Sequence, residues 1–367
     1  MTNPSDFIRS GTGVDPLLTE SAERLFGDSC TFDAVQAAES DRWAPEIWSA
    51  VAESGFALIG VPEEVGGSGG TLADACEVLR VAGSFAAPIP LAESGILGGW
   101  LLASVGIDVP QGPVTVVPHL SGDTVTALRA SDGGVVLSGV AQRVPWAQQA
   151  ELIVTLINIG GAPTVVAVPG TAVEVEPAEN MAGEPRDTVN FDGVVVPAEA
   201  AIEAPDGVDH DTFRLRGALS RAMLMAGALE AMSALTVEYT TDRQQFGRPV
   251  GRFQAVQQHL VWGAQDAAIT TMAAQVASRD ATRDLLGARF QIASAKVVAD
   301  ASASTATRWA HQAHGAMGMT QEYALHHLSR RLWAWRHEYS RPGEWTAAVG
   351  RSVEAVGADG LYPLIAS

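Results

Sequence analysis

The apolar residues of this chain change their spacing twice, and this change limits the folds that the chain can adopt. Over residues 14–106, and again from Thr212 to nearly the end, apolar residues recur every three to four positions, as in amphipathic helices. Over residues 114–197 they form short β-branched runs between glycine- and proline-containing turns. The sequence therefore predicts helical, β and helical domains in that order.

Each region supports a more specific prediction within this α+β, multi-domain fold class. Because the β runs follow one another without helical segments between them, the middle region predicts an antiparallel barrel or sandwich and not a parallel sheet. The predicted strands lie at residues 125–128, 135–137, 152–157, 164–168, 173–175 and 188–196. The C-terminal runs predict an antiparallel four-helix bundle. The predicted domains are residues 1–110, 111–205 and 206–367.

One predicted helix carries a face that consists only of methyl groups. Ala295, Ala299 and Ala303 recur every four residues, so their side chains lie on the same side of the helix. Small side chains permit helices to approach closely, and we expect this face to pair bundles from different subunits. The sequence thus predicts a dimer or a tetramer.

Charge and cysteine content exclude several classes of protein. The 367 residues include 42 acidic and 23 basic side chains, which disfavours binding to nucleic acid or to an anionic membrane surface. Cys30 and Cys76 are too few for a disulfide framework and lack metal-site spacing. The N-terminus has no apolar signal region, and the apolar run at residues 94–107 is short and interrupted by glycine. We expect a cytoplasmic protein without membrane insertion.

A cationic stretch interrupts the C-terminal helical pattern of this acidic chain. Arg243, Arg248 and Arg252 surround Phe246-Gly247, where the helical spacing breaks. Arginine supplies paired donors for phosphate oxygens, and glycine permits a close approach of the backbone to a ligand. A solvated corner between two helices is the alternative interpretation of the same residues.

A second stretch, HQAHGAMGMTQEYALHHLSRR at residues 311–331, contains a small-residue turn before an amphipathic segment. Together, R-x-Q-F-G-x-P-x-x-x-F-Q at residues 243–254 and Q-x-H-G-A-x-G at residues 312–318 resemble motifs of the acyl-CoA dehydrogenase family of flavoproteins. GFALIGVPEEVGGSGG at residues 55–70 is also similar to that family. Departures elsewhere resemble the divergent actinobacterial-type branch, whose members work as two unlike chains.

The resemblance implies an FAD-dependent enzyme that desaturates an acyl-CoA thioester between Cα and Cβ. It implies shared FAD sites in a homo- or hetero-oligomer, with an electron-transfer flavoprotein as electron acceptor and oxygen as the alternative. By resemblance, FAD contacts across the subunit interface come from Arg243, Gln245, Phe246 and Gln254. The stretch that receives the adenine-diphosphate portion from a neighbour contains Gln312, Gly315, Ala316 and Gly318, with Ala316 where glycine is more usual.

The catalytic base that the resemblance implies is not at its usual position. An ungapped count reaches Tyr339, whose ordinary pKa near 10 makes it a poor base at neutral pH. The adjacent Glu338 has suitable chemistry if the loop is rearranged, and Glu344 is a weaker substitute. The other position that the family uses holds Gly217. Glu338 is therefore the predicted base.

The middle region departs from the family as well. The Trp-Ile-Thr segment beside the flavin corresponds to residues 143–145, with Trp146 directly after them. Backbone polar groups could still face the flavin there, but the side-chain contacts do not carry over.

Three functional interpretations follow. The first is an acyl-CoA dehydrogenase, or a subunit of one, acting on a bulky or unusual acyl group. The second is a non-catalytic subunit that completes the FAD site of a heteromeric dehydrogenase. The third is a serine hydrolase that uses Ser68 in a G-x-S-x-G match, although Pro62-Glu63-Glu64-Val65 stand where a strand is required.

Histidines near the second motif raise the question of a metal site. His311 and His314 are three residues apart, but no carboxylate or thiolate set completes a site, and we predict none. We expect His326 and His327 on a helix surface.

Overall fold

The computed structural model describes residues 13–339 and 343–366. Its N-terminal part is helical, as predicted, with α1 at Pro16–Ser29, α2 at Phe32–Asp41, α3 at Pro45–Glu53 and α4 at Leu72–Ser84. The first helix begins where Asp15 Oδ1 accepts a hydrogen bond from the Leu17 N–H at 2.9 Å. Arg42, in the left-handed conformation, ends α2.

A π-helix, Ala92–Gly99, continues directly into α5 at Trp100–Ser104. The helical spacing predicted a helix here but not its wider π form. Glycines let this segment lie against its neighbours. A Cβ at Gly98 would come within 2.5 Å of Val114 Cγ1, so only glycine fits this close approach.

The middle of the chain is a sandwich of two four-stranded sheets. Their orders are β1-β4-β5-β8 and β2-β3-β7-β6. The strands are β1 Val114–Val116, β2 Thr126–Arg129, β3 Val135–Pro145, β4 Leu152–Ile159, β5 Ala162–Pro169, β6 Glu174–Glu176, β7 Arg186–Val196 and β8 Ala201–Glu203. Both sheets contribute to one apolar core that includes Leu137, Ile153, Val166 and Phe191.

The β region was predicted to be a barrel or a sandwich, and the structure is a sandwich. The strands form two sheets and not a closed barrel. One pair is also parallel, because Val114 of β1 lies opposite Leu152 of β4 with both strands running in the same direction. The three-residue strands β1 and β8 were not predicted as separate elements.

The described residues of the C-terminal part form five helices: α6 His210–Asp242, α7 Gln254–Arg283, α8 Arg289–His314, α9 Leu325–Trp335 and α10 Glu344–Ala366, which is kinked at Gly357. A short hairpin, with β9 at Gln244–Gln245 and β10 at Arg248–Pro249, joins α6 to α7. The four predicted helices are present, and α10 adds a fifth. In α8, Ala295, Ala299 and Ala303 are 0% exposed in the single chain, so the prediction that this face pairs subunits is wrong.

The described chain divides into two compact units. One contains residues 14–82 and 86–217, and the other contains residues 83–85 and those from Ala218 onward. The boundaries of the three predicted domains stay a prediction. By length and composition α6 could cross a membrane, but 67% of its most apolar window is buried inside the protein, as in the core helix of a globular protein.

Candidate cofactor and catalytic site

The first motif forms the exposed hairpin between α6 and α7. Phe246 and Gly247 occupy its tip with φ of 53° and 79°, the left-handed pair that a tight hairpin turn requires. Arg243 and Gln245 are exposed, and Phe246 is 91% exposed. Gln254, also exposed, begins α7. An aromatic ring held this far into solvent suits contact with a ligand or another subunit.

The arginines of this motif differ in their surroundings. The Arg248 guanidinium lies 4.1 Å from the centre of the Phe253 ring, in a cation–π contact. Arg243 is held through its backbone, whose N–H donates to the Tyr239 carbonyl at 2.9 Å. Its exposed guanidinium can therefore offer its donors to an anionic ligand.

The second motif forms a 3-10 turn, Gly315–Met319, that ends α8. Gly315 has φ of 60° and ψ of −135°, and nothing lies within 4 Å of the place where its Cβ would be. Gln312 and Ala316 are exposed as well, so this side of the turn can receive a ligand. Gly318 is buried, and a Cβ there would approach the His314 Cβ to 2.9 Å. Gly318 therefore serves packing within the turn.

Stacked rings connect the two motifs. The His314 ring lies against that of Tyr239, with 4.4 Å between centres and 23° between planes, and its centre is 5.1 Å from that of Tyr323. His314 Nδ1 is 2.8 Å from the Ala310 carbonyl oxygen, and burial lowers the pKa of His314. Tyr239 lies in the last turn of α6, directly before the hairpin. The structure thus brings together the two stretches predicted to bind FAD.

The predicted base, Glu338, is in an ion pair. Arg221 Nε donates to Glu338 Oε2 at 2.6 Å, and the two side chains are only 2% and 11% exposed. The Arg221 guanidinium also lies 5.2 Å from the centre of the Tyr339 ring. The Glu338 carboxylate is therefore held in an ion pair with little access to solvent. Arg221 was missed by the sequence analysis, although a basic residue in the apolar pattern of α6 was a signal.

A second buried charge lies near this pair. Lys296 Nζ donates to Asp300 Oδ1 at 2.5 Å and to the Arg336 carbonyl at 3.0 Å. Burial lowers the pKa of Lys296 and raises that of Asp300, while the Glu338 carboxylate acts in the opposite sense on Lys296. Glu338 therefore lies in a network of buried charges that the sequence did not predict.

Three other positions were considered for the base: Gly217, Tyr339 and Glu344. Gly217 lies on α6 and provides no acid, and Glu344 begins α10. Tyr339 has a φ of 50° and accepts a hydrogen bond from Trp345 Nε1 at its carbonyl, at 2.8 Å. These backbone contacts define the loop that carries Glu338.

The segment predicted to lie beside the flavin ring forms a tight corner at the end of β3. Arg143 and Trp146 both have positive φ, and Trp146 is buried. The Arg186 guanidinium lies 4.9 Å from the centre of the Trp146 ring, and Thr115 Oγ1 donates to the Pro145 carbonyl. One face of the ring is therefore covered by the chain itself.

Two other expectations concern Ser68 as a nucleophile and the positions of His326 and His327. Ser68 lies in an exposed loop whose backbone donates to the Leu58 carbonyl, and the element before it is a 3-10 helix, Glu63–Val65. A nucleophile elbow requires a strand at that place. His326 and His327 are buried, so the prediction that they lie on a helix surface is wrong.

Comparison with known proteins gives matches along most of the chain. The model of the acyl-CoA dehydrogenase N-terminal domain matches residues 16–108, and that of the C-terminal domain matches residues 215–336. Acyl-CoA dehydrogenase IpdE2 of Mycobacterium tuberculosis is 29% identical over 313 residues, which cover 84% of this chain and 88% of that protein.

Solved structures share the fold. The ChsE4-ChsE5 complex from Mycobacterium tuberculosis has a TM-score of 0.85 at 21% identity, covering 95% of this chain and 100% of that one. The Tcur3481-Tcur3483 steroid ACAD has a TM-score of 0.79 at 21% identity, covering 92% and 97%. The predicted helical, β and helical order is therefore confirmed.

Proposed function

The chain belongs to the acyl-CoA dehydrogenase family, and from that premise we propose that it is one subunit of an FAD-dependent enzyme that desaturates an acyl-CoA between Cα and Cβ. The observation that carries this proposal is the contact between Tyr239 and His314. It joins the exposed hairpin to the exposed turn, and these are the two stretches whose residues match the family's FAD-binding motifs.

Both stretches fit a dinucleotide. Arg243 offers an exposed guanidinium for phosphate oxygens, with Gln245, Phe246 and Gln254 beside it in sequence. At the other turn, Gly315 leaves open space for the backbone to approach a ligand. When bound, FAD supplies the hydride acceptor of the reaction. The chain itself positions the thioester and takes up the α proton. We assign the uptake of this proton to Glu338.

We further propose that the enzyme contains two unlike chains and accepts a bulky acyl group. Two of the similar structures are named as a complex of ChsE4 with ChsE5 and as a steroid ACAD of Tcur3481 with Tcur3483. The very exposed Phe246 supports a partner subunit at the hairpin. We place the enzyme in the cytoplasm, with an electron-transfer flavoprotein as the electron acceptor.

A second candidate function is favoured by the Arg221–Glu338 ion pair. The Arg221 guanidinium already engages the Glu338 carboxylate within the same chain. If this ion pair persists in the assembled enzyme, this chain completes the FAD site of its partner, and the partner provides the base. One face of the Trp146 ring is covered by the Arg186 guanidinium of the same chain. That face is not available to a flavin, which supports the same alternative.

Flavin stoichiometry and reduction test these proposals. The purified chain, alone and with a co-expressed partner chain, is assayed for FAD per chain and then mixed anaerobically with steroid-derived and straight-chain acyl-CoAs. Bleaching of the bound flavin by an acyl-CoA is the expected result with the partner present. A preparation that stays without flavin in every combination would overturn the proposed function.

A further inference from the structure

Arg216 is a partly buried arginine that has no carboxylate partner within the described residues. It lies near the start of α6, and its guanidinium is 4.3 Å from the centre of the Trp100 ring. Arg216 Nη1 donates to the Ile96 carbonyl at 3.3 Å, while its buried Nε has no hydrogen-bond partner. Within residues 13–339 and 343–366, it takes part in no ion pair.

Three arginines that are more deeply buried lie in ion pairs. Arg80 lies 2.6 Å from Glu77, Arg186 lies 3.2 Å from Glu184, and Arg221 pairs with Glu338. This is the usual arrangement, because an uncompensated buried charge costs several kcal/mol. Arg216 has no such ion pair among the described residues, so its charge is available to a group that is not part of this chain.

The charge of Arg216 persists at neutral pH. Burial lowers its pKa from 12.5 to about 10, and the Cys76 thiol acts in the opposite sense. A guanidinium with this pKa is cationic at pH 7.

The surroundings favour binding of an anion. The Arg216 side chain is only partly exposed, and it lies beside the π-helix, whose residues Ile96 and Leu97 are buried. Apolar walls lower the local dielectric constant and strengthen attraction between opposite charges. π-Helical segments are also often found at functional sites.

We infer that Arg216 binds a carboxylate on the acyl portion of the substrate and makes the enzyme selective for acyl-CoAs that carry a second acid group. The inference rests on the proposed function. Arg216 directly precedes Gly217, the position at which some family members carry their base, so it lies on the part of α6 that the resemblance assigns to the acyl group. Cation–π contact with Trp100 holds the guanidinium in place for a bidentate contact.

Direct binding measurements test this inference without requiring turnover. Calorimetry compares glutaryl-CoA with pentanoyl-CoA as matched probes, using the FAD-loaded protein together with any partner chain that it needs. The wild type is expected to bind the carboxylate probe about 10 to 100 times more tightly, as for a desolvated charge-assisted contact. Arg216→Met is expected to remove this preference, and Arg216→Lys to keep part of it.

A matched control is Arg308→Met. Arg308 stacks on Trp309 at 4.2 Å, as Arg216 does on Trp100, but it is exposed and lies on α8. This control loses the same charge and the same type of stacking, and it is expected to keep the preference. Circular dichroism and flavin content show whether each variant is folded.

Several results would overturn the inference. One is a wild type that binds both probes equally, which decides the matter even if Arg216→Met does not fold. Another is an Arg216→Met variant that loses affinity equally for both, which would assign Arg216 to the phosphates of CoA. Failure to bind any CoA thioester would instead contradict the proposed function, so the two failures are distinguishable.

Discussion

Arg221 and Glu338 are 117 positions apart in sequence, and their side chains meet at 2.6 Å in the interior of the C-terminal unit. The contact joins the proposed base to a buried positive charge, so a change at Glu338 affects an ion pair as well as the proposed proton transfer. The role of Glu338 in the reaction and its role in stability can therefore be separated by experiment.

Glu338→Gln is expected to lower turnover by about a hundredfold or more while FAD stays bound, because an amide cannot take up the α proton. The measurement is the rate of flavin bleaching by acyl-CoA in the assembled enzyme, with flavin content as the control. Turnover close to normal in a folded variant would pass the role of base to the partner chain and favour the second candidate function.

The same pair is expected to couple strongly in a double-mutant cycle of stability. Removing either charge leaves the other buried without its partner, so Arg221→Met and Glu338→Gln should each cost on the order of 3 kcal/mol of unfolding free energy. The double variant should cost less than the sum of the two. Urea denaturation checks this, and strictly additive effects would show that the contact contributes little.

Arg243→Ala is expected to weaken FAD binding by about tenfold or more, since a charge-assisted contact with phosphate is lost. Flavin retained after gel filtration and the dissociation constant for FAD are the measurements. Arg248→Ala is the matched control from the same hairpin, because the Arg248 guanidinium is engaged on the Phe253 ring. Equal losses in both variants would indicate damage to the hairpin and not loss of a phosphate ligand.

The stability of the unit that contains residues 14–82 and 86–217 should depend on pH through His119. Burial lowers the pKa of His119 from 6.5 to about 3, and the neighbouring His210 acts in the same sense. Between these values the unfolded chain binds more protons at this position, so stability is fully present above about pH 6.5 and falls as the pH is lowered, by up to about 1.4 kcal/mol per pH unit.

His119→Asn removes this titration while tolerating the left-handed φ of 55° at the position. Denaturation at pH 7.5 and pH 5.5 should show a smaller pH dependence in the variant by about 1 kcal/mol. His210→Gln provides the comparison for the other ring, which is 5.0 Å from that of His119. An unchanged pH dependence in His119→Asn would contradict the assignment.

Gly98→Ala is expected to destabilise the protein by about 1 to 3 kcal/mol, because the new methyl group would overlap the Val114 side chain across a tightly packed contact. Gly263→Ala on α7 is the matched control, since nothing lies within 4 Å of the added Cβ. It should be neutral or should stabilise by up to about 1 kcal/mol. The measurement is the thermal unfolding of both variants. A Gly98→Ala variant as stable as the wild type would mean that the π-helix shifts to make room for the methyl group.

The sequence predicted the helices and most strands because their apolar spacing is a local property. Val114–Val116 was not assigned because it is three residues long and pairs in parallel with Leu152, far along the chain. The motif residues from Arg243 to Gly318 were found by resemblance. Most of them are exposed, which is compatible with binding, whereas Gly318 is buried.

Long-range charge pairing could not be found in the same way. Arg221 and Lys296 lie within helices of otherwise regular pattern, and their partners are decided by how those helices pack. The same is true of His326 and His327, whose polarity suggested a surface although both are buried. Periodicity identifies the face of an element, whereas burial of an individual polar group depends on its neighbours in space.

The stacking of Tyr239 on His314 couples the hairpin to the turn after α8. In an assembly with shared sites, both stretches of one chain would contact the flavin that a neighbouring chain holds. A cofactor that orders the hairpin would then reduce the entropy lost at the turn, and the same coupling would act in reverse. The two contacts with one flavin would consequently reinforce each other.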